Sequence, residues 1–181
     1  MSKAAVIAIA LATLPAITWA ASNSERFVGT WVLAGIERQL ATGDWVRAET
    51  RLGNSPLGSL VYDSAGNMAV QIMRRERPLL SSDGSDGSDG SDGPAKAPPV
   101  TPEARALARV EEKVIAFEGY AAYFGKYSVN EADGVVTHHR IAHLVPNQVG
   151  SDVERHFEFL GDSLVLAVPG QPHRLVWKRA D

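Results

Sequence analysis

Tyr62, Gln71, Met73, Tyr123, Tyr127, His138 and Arg155 are the residues whose types and spacing point to a binding site. A tyrosine hydroxyl both donates and accepts, an imidazole changes charge near neutral pH, and a guanidinium fork matches a carboxylate. Tyr123 and Tyr127 lie in Tyr120 to Asn147, where two β-rich runs flank an Asn/Asp/Gly cluster and so predict a hairpin. Side chains alternate along a strand. Tyr123, Gly125, Tyr127 and Val129 then share a face, as do Val136, His138 and Arg140 on the return strand. Thr137, His139, Ile141 and His143 take the opposite face. From Asp152 to Leu160, Val153, Arg155, Phe157 and Phe159 alternate with the solvent-facing Glu154, His156 and Glu158. An arginine turned inward among phenylalanines needs an acceptor. A tyrosine hydroxyl, a backbone carbonyl or a ligand carboxylate could supply it; the last fits an apolar molecule with an acidic head, such as a fatty acid. His138 is either a hydrogen-bonded core histidine or a general base beside a bound substrate.

Other chemistries find less support. His139 and His143 share a strand face but stand roughly 13 Å apart, too far to ligate one ion, and His138 faces away, so no metal site is expected. The chain has no cysteine, which removes disulfides and thiolate chemistry. It has no Gly-x-Ser-x-Gly elbow, phosphate-binding glycine loop or dinucleotide fingerprint, so no cofactor is expected. A formal net charge of -3 without a basic run argues against nucleic acid as a partner. Trp45, in a short strand, reads as rim or core.

The elements that must position these residues are mostly strands. They are predicted over about 27–40, 44–50, 57–62, 68–74, the hairpin, 152–160, 164–168 and 173–179. On the first strand Trp31, Leu33 and Gly35 share one face, with Val32, Ala34 and Ile36 on the other. Gly161-Asp162 and Pro169-Gly170 are tight turns. Thr101-Pro102 opens a helix of about four turns. Leu107, Val110, Val114 and Phe117 form its apolar stripe, Glu112 and Lys113 lie on its wet face, and Gly119 ends it. It is expected to pack on the sheet, or else to act as a mobile lid.

Two segments stand apart. Residues 1–20 start with Lys3, continue as an apolar run and end in Trp19-Ala20-Ala21: a secretory signal peptide cut after Ala20 is expected. The mature protein is then exported, periplasmic or secreted, without stable membrane insertion. At about 81–100, four Ser-Asp-Gly repeats from Ser82 to Gly93 and several prolines predict a disordered insertion. The aspartate spacing does not match that of calcium loops. Residues 21–181 otherwise form a single domain.

Strands in hairpin succession, polar on one face, must close or stack. The expectation is an all-β, up-and-down antiparallel barrel of about 8–9 strands with one amphipathic helix packed against it; a two-sheet sandwich is the alternative. The chain also resembles the bacterial lipocalin-like domain family. The resemblance rests on Val28-Gly29-Thr30-Trp31, Pro56-Leu57-Gly58, Gly66-Asn67-Met68, Tyr123-Phe124-Gly125-Lys126-Tyr127, Val136-Thr137-His138-His139, Pro146-Asn147, Arg155, Gly161-Asp162 and the stretch from Leu175 to Arg179. It implies a small barrel able to enclose a hydrophobic ligand, and a basic residue, Arg179 or Lys178, packed on Trp31. The mid-chain helix and the missing disulfide depart from the lipocalin pattern. The functional expectation is an exported protein binding a small hydrophobic or amphipathic molecule. The alternative is an isomerase, cyclase or hydrolase using the interior Tyr, His and Arg groups.

Overall fold

The computed structural model describes residues 23–77, 80, 101–103 and 108–180. The expected signal peptide, the Ser-Asp-Gly insertion and residues 104–107 of the predicted helix, with Leu107, lie outside the described residues. A short helix α1 (Asn23–Phe27) leads into β1 (Gly29–Gln39), β2 (Trp45–Arg47), β3 (Leu57–Tyr62) and β4 (Asn67–Met73). After helix α2 (Val110–Glu118) come β5 (Tyr120–Asn130), β6 (Val135–His143), β7 (Asp152–Leu160), β8 (Ser163–Ala167) and β9 (His173–Arg179).

All pairings are antiparallel, in the order β2-β1-β3-β4-β5-β6-β7-β8-β9, and β9 returns to pair with β1. β1 and β3 through β9 therefore close a barrel, and β2 is an extra strand on the far end of β1. Closure leaves no long open edge. This is the barrel expected from the hairpin succession, not a sandwich.

The core lies inside the barrel. Trp31, Leu33, Leu60, Tyr62, Met68, Val70, Ile72, Val136, Leu164, Leu166 and Trp177 are buried together. α1 closes one end: Phe27 is 0% exposed, with ring contacts to Tyr62 at 5.1 Å, Phe157 at 5.0 Å and Phe159 at 5.2 Å. The Trp31 indole N–H donates to the Phe27 carbonyl at 2.9 Å, and the Arg179 guanidinium lies 4.4 Å from the Trp31 ring centre. Gly29 has φ 137°, and a Cβ there would stand 2.5 Å from Arg179 Nη1. The Gly-x-Trp pattern thus has two local causes, a positive φ and an arginine laid against the backbone.

Two β-bulges alter the expected faces. In β1 the register shifts between Leu33 and Gly35, so the extra Ala34 brings Ile36 inward with Trp31 and Leu33. Between β5 and β6, Phe124 pairs with Ala142 but Gly125 with Arg140. Ile141 is the extra residue and is 58% exposed. Gly125 permits this: a Cβ there would lie 2.0 Å from the His139 carbonyl oxygen.

The helix corrects a second expectation. Val110, Val114 and Phe117, the predicted inner stripe, are exposed at 69%, 53% and 42%, whereas Glu112, assigned to the wet face, is buried. Glu112 reaches back to accept from the Arg109 backbone N–H at 3.3 Å and pairs with the Arg109 guanidinium at 3.3 Å. That cap fixes the helix entry, and Arg77 holds the Ala116 carbonyl at 3.1 Å.

Candidate ligand site inside the barrel

Of the residues singled out from the sequence, the fold gathers Tyr62, Tyr123, Tyr127, His138 and Arg155 on the inner wall. Tyr62 ends β3 beside Phe27, at the closed end. His138 pairs in register with Tyr127 on β5 and Val153 on β7. Tyr62 Oη lies 2.6 Å from His138 Nε2, and Tyr123 Oη lies 2.9 Å from His138 Nδ1. Tyr127 stacks obliquely on Tyr62 at 4.6 Å and donates to the Asp63 carbonyl at 3.0 Å. It therefore supports the group rather than extending it.

Satisfying every buried group fixes the direction of these bonds. Tyr62 is 1% exposed, and His138 is its one hydrogen-bond partner among the described residues. A buried O–H without an acceptor costs about 1–3 kcal/mol, so Tyr62 donates to Nε2. A neutral imidazole then carries its proton on Nδ1 and donates it to Tyr123 Oη. The Tyr123 O–H is left without an acceptor among the described residues. The Arg155 guanidinium stands beside it, within hydrogen-bonding range of the Tyr123 oxygen, and its Nη1 donates to the Glu154 carbonyl at 2.9 Å.

Electrostatics agree. Burial first, and the nearby Arg155 and Arg140 cations second, hold the His138 pKa down at about 3. Burial raises the Tyr62 phenol well above its usual range against the pull of Arg155. Tyr123 is raised by burial against Arg155 and Arg140, and Tyr127 by burial and the Asp63 carboxylate. The whole group is neutral near pH 7 except for its guanidiniums.

Gln71 and Met73 do not belong to it, which corrects the sequence expectation. In β4 the buried residues are Met68, Val70 and Ile72, so Gln71 and Met73 point outward. Burying three apolar side chains outweighs any pull of one amide and one thioether. Gln71 instead accepts from Tyr120 Oη at 2.5 Å, and Met73 Sδ accepts from Arg77 at 2.9 Å.

Sequence reasoning missed His143 as an inner residue and Arg140 as part of the site. The Ile141 bulge turns His143 to the same side as His138, where it stacks on Tyr123 at 5.4 Å and 14°. Its Nδ1 accepts from the Val145 N–H at 2.9 Å, while burial and Arg140 lower its pKa. Arg140 lies 5.9 Å from the Tyr123 ring centre and is held by Ser151, through the carbonyl at 3.2 Å and Oγ at 2.7 Å. A lone glycine inside a strand pattern, Gly125, was the available signal for the bulge. Among the described residues neither Arg140 nor Arg155 has a carboxylate partner. The buried Trp177 indole N–H also has no partner there.

An eight-stranded up-and-down barrel, closed at one end by a short helix and a tryptophan-arginine pair and carrying polar groups inside, is a barrel of the lipocalin type. The chain belongs to the lipocalin-like domain family, whose model matches residues 28–180. Similar solved structures include a lipocalin-like protein from Bacteroides uniformis, 11% identical, with TM-score 0.40, covering 86% of this chain and 99% of that one. Another is a mutant of the fluorescent protein UnaG, 12% identical, with TM-score 0.35, covering 86% of this chain and 97% of that one. No curated protein matches the chain.

Proposed function

We propose that this barrel binds a small apolar molecule with an anionic head, the head received by Arg155 and Tyr123. The observation that carries the reading is a pair of convergent donors, the Tyr123 O–H and the Arg155 guanidinium, with no carboxylate partner inside an otherwise apolar barrel. A carboxylate accepts from both at once, and charge-assisted bonds are the strong ones. The enzyme alternative finds less support in the interior. Both nitrogens of His138 are engaged by tyrosines, which leaves no lone pair for a substrate proton.

Thermal unfolding with a long-chain fatty acid and with the alcohol of the same chain length tests this. The acid raises Tm and the alcohol does not, and Arg155→Gln weakens acid binding about tenfold or more. Equal effects of acid and alcohol, or undiminished binding by the variant, would overturn it. We further propose that binding takes place outside the cytoplasm, on the sequence pattern of residues 1–20. Intact mass of exported protein checks that: retention of residues 1–20 would count against it.

A further inference from the structure

A second constellation lies on the outside of the barrel, independent of the interior group. Ser128 of β5, His139 of β6 and Asp152 of β7 stand on adjacent strands and point outward. Ser128 Oγ is 2.9 Å from His139 Nε2, and His139 Nδ1 is 2.9 Å from Asp152 Oδ1. The His139 and Asp152 side chains are 41% and 62% exposed, so the group is open to solvent. The order of contacts fixes the protons. A carboxylate only accepts, so Nδ1 carries the hydrogen and Nε2 offers its lone pair. The Ser128 hydroxyl must then be the donor to Nε2, which is how a serine is prepared for attack by an adjacent base.

We propose that Ser128, His139 and Asp152 form a nucleophilic triad on the outer wall that cleaves carboxylic esters. Ser128 Oγ bonds to the ester carbonyl carbon as its proton passes to His139 Nε2. The tetrahedral intermediate collapses with cleavage of the bond to the leaving alcohol, which takes the proton from Nε2. Water repeats the sequence on the acyl-serine and releases the acid. Asp152 is a positioning residue: it holds the imidazole in the required tautomer and stabilises the imidazolium. Lys126 stands two residues before Ser128 on the same face and pairs in register with His139. Its ammonium is hydrogen-bonded to the Asn67 side chain on β4.

The same wall offers a place for an apolar acyl chain. Outward positions of β5 run Ala122, Phe124, Lys126, Ser128, and Phe124 is 54% exposed. A groove of about 280 Å³ crosses β4, β5 and β6 there, with Ala69, Gln71, Ala122, Phe124, Ala142 and Leu144 in its lining. Four strand residues separate Phe124 from Ser128, roughly 13 Å, the reach of an acyl chain of about ten carbons.

Acylation by p-nitrophenyl decanoate, quenched in acid and mapped by peptide mass spectrometry, tests the triad. Ser128 acquires the acyl group about 100-fold faster than the exposed Ser64, and His139→Ala removes most of that advantage. Equal rates at Ser128 and Ser64, or no effect of His139→Ala, would overturn the proposal. Nitrogen-15 correlation spectra of the His139 ring give a readout that does not depend on turnover. The wild type shows the Nδ1–H tautomer, and Asp152→Asn shifts the population toward Nε2–H together with slower acylation. An Nε2–H tautomer in the wild type would exclude the arrangement.

Discussion

Burial holds the His138 pKa near 3, against an ordinary value of 6.5, and that difference couples folding to acid. Between these pH values the unfolded chain binds a proton that the folded chain refuses. The stabilising contribution is complete above about pH 6.5 and is lost as pH falls toward about 3. His143 is shifted the same way. From about pH 7.5 to about pH 4.5, His138 alone should remove on the order of 3 kcal/mol from the unfolding free energy. Urea titrations at the two pH values measure this, with His138→Gln as reference; an equally steep loss in the variant would show that other groups are responsible. Tyr62→Phe isolates the other end of the chain of bonds. It deletes the donor to Nε2 without opening a cavity, and should cost about 1–2 kcal/mol in the same assay. A neutral outcome would mean that Tyr62 is not the donor.

At the scale of the element, the β5–β6 hairpin shows how one residue changes a site. Alternation places His143 on the outer face with His139, and the extra Ile141 moves it inside against Tyr123. Gly125 is what allows the two backbones to approach. Gly125→Ala sets a methyl group 2.0 Å from a carbonyl oxygen, so the bulge must open. The expected cost is about 3 kcal/mol in chemical denaturation, and the Tyr123–His143 stack is lost in ring-proton shifts. An alanine variant of wild-type stability would mean that the bulge can form without glycine. The helix α2 makes the same point in reverse. Its apolar period was legible, but the side that carries Glu112 is buried while Val110, Val114 and Phe117 are exposed.

For the whole molecule, the β1–β9 pairing is the contact that makes a barrel of a meander. It joins Leu33 to Trp177 and Trp31 to Arg179 across the longest separation in the domain. Ending the chain at Pro172 should abolish the cooperative thermal transition and the near-ultraviolet dichroism, because β1 and β8 both lose a neighbour and the core opens. A truncated chain that still melts cooperatively would show that the rest of the sheet holds itself closed.

Strand identity was determined locally. The bounds of β3, β7 and β9 follow from alternation ended by turn residues, and hairpin succession then leaves few arrangements other than a barrel. The inner positions of Tyr123, Tyr127, His138 and Arg155 follow from the same two-residue period. Three things depended on the tertiary structure. The face of β4 was one, because alternation names two sets and only burial chooses between Val70 with Ile72 and Gln71 with Met73. The bulges at Ala34 and Ile141 were another, because an inserted residue reverses every later side chain and is set by the register of the neighbouring strand. The last was the set of contacts between strands: His138 between Tyr62 and Tyr123 within, and His139 between Ser128 and Asp152 without. Period fixes which side of a strand a residue takes, but the stagger of three strands around a closed barrel fixes which residues meet.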